Sequence, residues 1–223
     1  MRIWKLNVTQ TLPSSISDAQ RHEPEAPGPR EPALKDEMQR LVARLGSPEM
    51  AMRYSAASAL IGHGTACIPL LHALLAQQTW DRRQPEAISV LNRLGDQCSV
   101  PVLHRALGRD ADHERLAALR GLRGLCNDPS CFLDALEDPS WEIRREAVFA
   151  LCDLNQPRLR FIVAGMAQDP HPLVRGAAIN SLGILGTQGD LDLERIIAYA
   201  LEDRSEWVRS MAAWAARHLK RNR

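Results

Sequence analysis

An alanine recurs through the chain at a nearly fixed interval: Ala56, Ala87, Ala118, Ala147, Ala178 and Ala212. Four residues after each comes Leu60, Leu91, Leu122, Leu151, Leu182 and finally Ala216. Three residues before each comes Arg53, Gln84, Arg115, Arg144, Arg175 and Arg209. The frame advances by 31, 31, 29, 31 and 34 residues. A period of that size means one supersecondary unit stacked on copies of itself, each copy completing the core of its neighbour. Within the frame the apolar spacing is helical: Ile143, Ala147, Val148, Leu151 and Leu154 share one face. Each unit therefore reads as two helices. First helices are expected near 36–45, 67–77, 99–108, 130–137, 157–168 and 191–202. Second helices, which carry the frame, are expected near 51–63, 83–94, 113–125, 141–153, 172–185 and 206–219. Alanine at the recurring site lets neighbouring helices approach, and leucine one turn later fills the gap between repeats. Gly64, Gly95 and Gly186 fall near helix ends, where glycine readily takes the left-handed conformation, and Asn155 holds that place in the fourth unit.

Residues 1–32 stand apart. Five of the 14 prolines lie there, among Ser, Gln, Glu and Asp. Such sequence cannot bury enough apolar surface to offset its ordering entropy, so it is expected to be a flexible arm, with the solenoid spanning 33–223. Its opening is the exception: Ile3, Trp4, Leu6 and Val8 form an apolar segment able to add to a partner's sheet edge or fill a groove, or else to fold back on its own solenoid. Lys+Arg at 28 against Asp+Glu at 27 leaves a net charge of +1, which argues against a dedicated nucleic-acid binder, whose affinity comes largely from phosphate neutralisation. The five cysteines follow no disulfide framework, and no signal-peptide core or membrane-length apolar run stands in the sequence, so a cytoplasmic location is expected.

The last three units carry Asp138-Pro139-Ser140-Trp141-Glu142-Ile143-Arg144, Asp169-Pro170-His171-Pro172-Leu173-Val174-Arg175 and Asp203-Arg204-Ser205-Glu206-Trp207-Val208-Arg209. This pattern resembles the HEAT-repeat family, and especially its bilin-lyase-like subgroup, over about 190 residues. The resemblance implies an all-α, armadillo-type fold: a right-handed α–α superhelix of about six repeats. It also implies a ladder in which a turn aspartate and an arginine six residues later link stacked repeats. The first three units depart from it. Ser47 stands where an aspartate would precede Arg53, Gln84 replaces the arginine, and Asp110 precedes Arg115 by five residues. The ladder is expected to be weaker or absent there, leaving the N-terminal half looser.

No enzymatic signature stands out. Iron-binding relatives resembling deoxyhypusine hydroxylase place His-Glu pairs before the alanine column. Here Arg145-Glu146, Ser55 and Gly176-Ala177 precede it, and His22-Glu23 and His113-Glu114 are out of frame, so no metal and no other cofactor is expected. Cys67 and His72 recur as Cys98 and His104 on successive first helices. Equivalent positions on stacked helices lie about 8–10 Å apart, too far for one zinc ion, so repeat duplication explains them. Cys126 and Cys131 bracket a turn and read as ordinary thiols rather than a redox pair. A HEAT-like DNA glycosylase matches in size and architecture, but no specific motif supports it.

A partner is expected on the concave face, which second helices line in helical solenoids. The outward stripe reads Tyr54, Ser58, Ile61; Pro85, Ser89, Asn92; Leu116, Arg120, Arg123; Arg145, Phe149, Cys152; Gly176, Asn180, Gly183; and Ser210, Trp214, Arg217. Arg120, Arg123, Arg145 and Phe149 are expected to form a basic patch with an exposed aromatic. The small fifth stripe should leave a recess around Asn180, with Trp214 on its far side. If the helical phase is off by one, Phe149 and Trp214 belong to the core instead. Trp80, Trp141 and Trp207 are expected against the inter-repeat turns. Together with Trp4 in the arm, these residues suit a non-catalytic scaffold, adaptor or assembly factor working within a complex, whose protein partner presents an acidic or phosphorylated segment. The alternative implied by the resemblance is a subunit of a bilin or cofactor attachment enzyme of lyase type.

Overall fold

The structure, a computed structural model, describes residues 31–186 and 189–221. The arm segment around Trp4 lies outside the described residues. Among the described residues six helix pairs follow one another: α1 (Glu31–Arg44) and α2 (Met50–Gly62), α3 (Ile68–Leu75) and α4 (Arg83–Leu94), α5 (Val100–Ala106) and α6 (Asp112–Leu125). Then come α7 (Ser130–Leu133) and α8 (Trp141–Asp153), α9 (Arg160–Gly165) and α10 (Pro172–Leu185), α11 (Leu191–Ala200) and α12 (Glu206–Arg221). The described residues contain no strand, and no single helix among them is long and apolar enough to cross a membrane. The first helices α3, α5, α7 and α9 are short and adjoin 3₁₀ turns, at Gly64–Cys67, Gln97–Ser99, Asp134–Glu137, Pro157–Leu159 and Met166–Gln168. Pro69, Pro101 and Pro172 sit in first turns, where proline's missing N–H has no helical partner to lose.

The repeating frame is the core. All six column alanines are at most 2% exposed, and Leu60, Leu91, Leu122, Leu151 and Leu182 at most 1%. Truncating one of these leucines to alanine would cost roughly 2–5 kcal/mol. Second helices pack in series, α2 on α4, α4 on α6, α6 on α8, α8 on α10 and α10 on α12, while first helices touch their neighbours less. The second helices therefore form one continuous packed layer along the stack. Gly95 ends α4 in the left-handed region at φ 68°, and Asn155 does the same after α8 at φ 49°. Gly186 does not: its φ is −78°. A Cβ there would stand 2.1 Å from Leu193 Cδ2 and 2.7 Å from Leu182 O, so close approach rather than handedness requires glycine.

Charged rungs tie the repeats together. Arg144 donates Nε and Nη2 to Asp169 (2.8 and 3.0 Å), and Nη1 to the carbonyls of Asp138 and Pro139 (2.8 and 3.0 Å). Arg175 repeats this arrangement with Asp203 at 2.8 Å for both bonds, and with the carbonyls of Asp169 and Pro170. Each aspartate also accepts an amide at the start of the next helix: Ser140 N on Asp138, His171 N on Asp169 and Ser205 N on Asp203. The side-chain bond from Arg175, then the Ser205 amide, hold the Asp203 carboxyl below its ordinary pKa.

The N-terminal half is better tied than its sequence suggests. Arg115 makes a full rung to Asp138 (2.9 and 3.1 Å), although its own Asp110 is a residue out of register. The offset is immaterial: from its own repeat the arginine takes the carbonyls of Arg109 and Asp110 and the Asp112 carboxylate at 2.8 Å, while the carboxylate of the rung comes from the following repeat. Arg53 bonds Glu86 at 2.9 Å instead of a turn aspartate. Gln84 ties its own turn through Asp81 N. The junction above it is held by Arg109, which pairs with Glu114, donates to Gln77 O and lies over the Trp80 ring at 4.9 Å.

Candidate functional site

The expected basic patch sits at the middle of the second-helix layer, on α6 and α8, and it is largely neutralised. Arg120 is exposed and Arg123 half-buried on α6; both point to Glu146, a buried residue of α8. Arg123 Nη1 donates to Glu146 Oε1 at 2.8 Å and its Nε to Asp153, while Arg120 Nε reaches Glu146 Oε2 only at 3.5 Å. Burial works against the Arg123 cation, but its bonds to Asp153 and Glu146 outweigh it and hold its pKa above the ordinary value. The guanidinium also lies 5.6 Å from the centre of the Phe149 ring.

Arg145 differs from its neighbours. It is half-buried, lies over the Trp141 ring at 5.2 Å, and Trp141 stacks on His171 of the next repeat at 4.1 Å and 13°. Its Nε is shielded from solvent, and it makes neither a hydrogen bond nor an ion pair among the described residues. His171 Nδ1 is likewise covered and unbonded. The result is a row of guanidinium, indole and imidazole across the α8–α10 junction.

The remaining sequence-expected residues lie further along the same face. Phe149, Asn180 and Trp214 are each half-buried, between the exposed and core alternatives. The recess expected beside Asn180 is filled. A Cβ on Gly176 would stand 2.5 Å from Trp207 Nε1, and one on Gly183 would stand 2.9 Å from Ala215 Cβ and 3.0 Å from Trp214 Cζ3. The glycines admit two indoles of α12 rather than a ligand. Trp214 in turn stacks on His218 at 4.7 Å. Trp80 is buried and donates Nε1 to Leu75 O, whereas Trp207 is 49% exposed.

The Cys/His quartet does not converge. Cys67 is buried and donates to the carbonyls of Gly64 and Leu60; Cys98 and His104 are exposed. His72 Nε2 lies 2.9 Å from Asp96 Oδ2 and 2.8 Å from Ser99 Oγ. This trio holds the residue types of a hydrolytic triad but not its wiring, since a relay needs the hydroxyl and carboxylate on different ring nitrogens. It locks α3 to the turn before α5. Glu146, Asp153 and His171 were missed as members of the central cluster. The available signal was the glutamate directly before the alanine column, facing arginines 23 and 26 residues earlier.

Residues 131–217 match the HEAT-repeat family, and residues 52–77 match the PBS lyase HEAT-like repeat. No curated protein matches the sequence. Among solved structures, the chain is similar to YibA of Escherichia coli at 19% identity and a TM-score of 0.65, with 86% of this chain and 77% of that one covered. An engineered protein aligns at 15% identity and a TM-score of 0.50, covering 83% and 97%. The complex of CpcE and CpcF of phycocyanin lyase from Nostoc sp. aligns at 22% identity, 82% and 99% coverage and a TM-score of 0.41. These likenesses concern the fold.

Proposed function

The chain is a HEAT-repeat protein, and from that premise we propose that it is a non-catalytic scaffold holding a protein partner along its second-helix face. The observation that carries this reading is Arg145, a half-buried cation at the centre of the face, framed by Trp141 and without a partner among the described residues. A buried polar group left unbonded is costly, and a carboxylate or phosphate from a partner would complete it with charge-assisted bonds. Arg120, held to Glu146 by one loose contact, is the second donor within the patch. Phe149, Asn180 and Trp214 would supply the apolar and amide surface beside it, and Trp4 a second contact through the arm.

The test is affinity capture from the native host with the full chain, identified by mass spectrometry, against Arg120→Glu, Arg145→Glu and Trp4→Ala. A stoichiometric partner lost with both arginine reversals and kept with Trp4→Ala supports the groove. A partner indifferent to the arginines refutes it, and loss with Trp4→Ala alone moves recognition to the arm.

A second reading rests on the match of residues 52–77 to the PBS lyase HEAT-like repeat. In it the solenoid is a subunit of an attachment enzyme and cradles a tetrapyrrole or its acceptor protein. A new visible absorbance band on mixing the chain with a bilin would favour this reading, and an unchanged spectrum would remove it.

A further inference from the structure

Cys126 caps α6 and Cys131 lies in α7, on the link that makes the frame step between Ala118 and Ala147 the shortest of the five, at 29 residues. Their sulfurs are 2.6 Å apart, and both thiols are free. Phe132, fully buried, anchors the segment between them and the core, and Asp128 accepts the Ser130 amide at 3.0 Å to fix the turn. A bond between the sulfurs would bring them from 2.6 Å to about 2.0 Å, across a link of only four residues. The two thiols differ in access. Cys126 is buried, while Cys131 is half-buried and lines a cavity of about 250 Å³ with His104, Arg115, Asp134 and Asp138. The other cysteines offer no such pair: Cys67 and Cys152 are buried and Cys98 stands alone on the surface.

We propose that Cys126 and Cys131 form a dithiol site that undergoes exchange with small-molecule disulfides of the glutathione class. The Cys131 sulfur, after losing its proton, attacks one sulfur of the incoming disulfide; that S–S bond breaks and the first thiol leaves, taking up the proton. Cys126 then loses its proton and attacks the Cys131 sulfur, forming the internal S–S bond and expelling the second thiol. Two protein S–H groups are oxidised to one S–S, and one external disulfide is reduced to two thiols. Burial, then the hydrogen bond with Cys126, push the Cys131 thiol up to about 12, with Asp128 adding to the rise. Exchange therefore runs through a small thiolate fraction and is slow at neutral pH.

The full-length chain, incubated folded with oxidised glutathione, alkylated without reduction and digested with trypsin, tests this. One tryptic peptide, Gly124–Arg144, contains both cysteines. The expected result is that this peptide loses two hydrogens and takes up no alkylating agent, while exposed Cys98 carries glutathione. Both thiols alkylated, or a persistent glutathione on Cys131 of the unmutated chain, would overturn the proposal. Cys126→Ser, which removes the resolving thiol, should instead accumulate the mixed disulfide on Cys131. A folded Cys126→Ser chain whose Cys131 stays unmodified would also overturn it.

Discussion

Replacing Asp169 with alanine removes the acceptor of a rung that is almost dry: the Asp169 side chain is 3% exposed and that of Arg144 13%. Breaking a buried pair from one side costs about 3–5 kcal/mol, because the remaining charge is left uncompensated. Arg144 keeps its bonds to the carbonyls of Asp138 and Pro139, which places the cost near the low end, about 3 kcal/mol. For a chain of this size that corresponds to a fall in Tm of roughly 6–12 °C, read by thermal unfolding followed by circular dichroism. The double variant Arg144→Ala/Asp169→Ala should cost less than the sum of the singles, since no unpaired cation remains. The pH dependence has a definite sign. Burial alone would raise the Asp169 pKa, but the Arg144 bonds and the His171 amide outweigh it, so the folded value lies below 3.8. This stabilisation is complete above 3.8 and is lost as the pH falls through the lower folded value, where unmutated chain and variant converge. A loss below about 1 kcal/mol, or additive singles, would refute a ladder that joins repeats energetically.

Gly183→Ala should destabilise by about 1–3 kcal/mol, since its Cβ meets Ala215 backbone and forces α10 from α12; urea unfolding reads this. Gly165→Ala is the contrasting case, with nothing within 4 Å of the new Cβ, and should stabilise by roughly 0.5–1 kcal/mol in the same assay. Glu146→Gln removes the anion shared by Arg120 and Arg123. It should strengthen retention of the chain on a phosphate-bearing resin, with elution at higher salt than unmutated chain, while Arg145→Glu weakens it.

The architecture was legible because a solenoid writes its core as a column. The buried alanines and leucines are the ones whose spacing marks the repeats. What spacing concealed was contact between repeats. Asp110 one residue out of register suggested a missing rung, yet Arg115 draws its carboxylate from Asp138 in the next repeat. Gly176 and Gly183 suggested a recess, because a missing side chain looks like missing volume. In a stack of helices it marks instead where a neighbour's bulk arrives, here Trp207 and Trp214. The arginines of the central patch were found from their stripe, but their neutralisation was not. Glu146 stands beside Ala147 in the middle of α8 and meets Arg123 across a repeat boundary, a pairing that a helical wheel drawn for one repeat does not display.

These contacts bear on how the proposed partner would be held. On the second-helix face Ser58, Ser89, Arg120, Ser210 and Arg217 are exposed, whereas Phe149, Asn180 and Trp214 are half-buried where α8, α10 and α12 pack together. Arg145 lies among half-buried and buried residues, between exposed positions on α2, α4 and α6 and others on α12. Three cations, Arg120, Arg123 and Arg145, face two anions, Glu146 and Asp153, so the centre carries a net charge of 3 − 2 = +1. A field so small does little to steer an acidic segment from a distance, and it is screened beyond about 10 Å at moderate salt. Selectivity would arise at contact. An arriving carboxylate or phosphate can take Arg120 from its 3.5 Å contact, leave Arg123 on its 2.8 Å bond, and supply the bonds that Arg145 lacks. Recognition of that kind resides in dissociation rather than in encounter, and reversing Arg145 should raise the dissociation rate while leaving the association rate nearly unchanged.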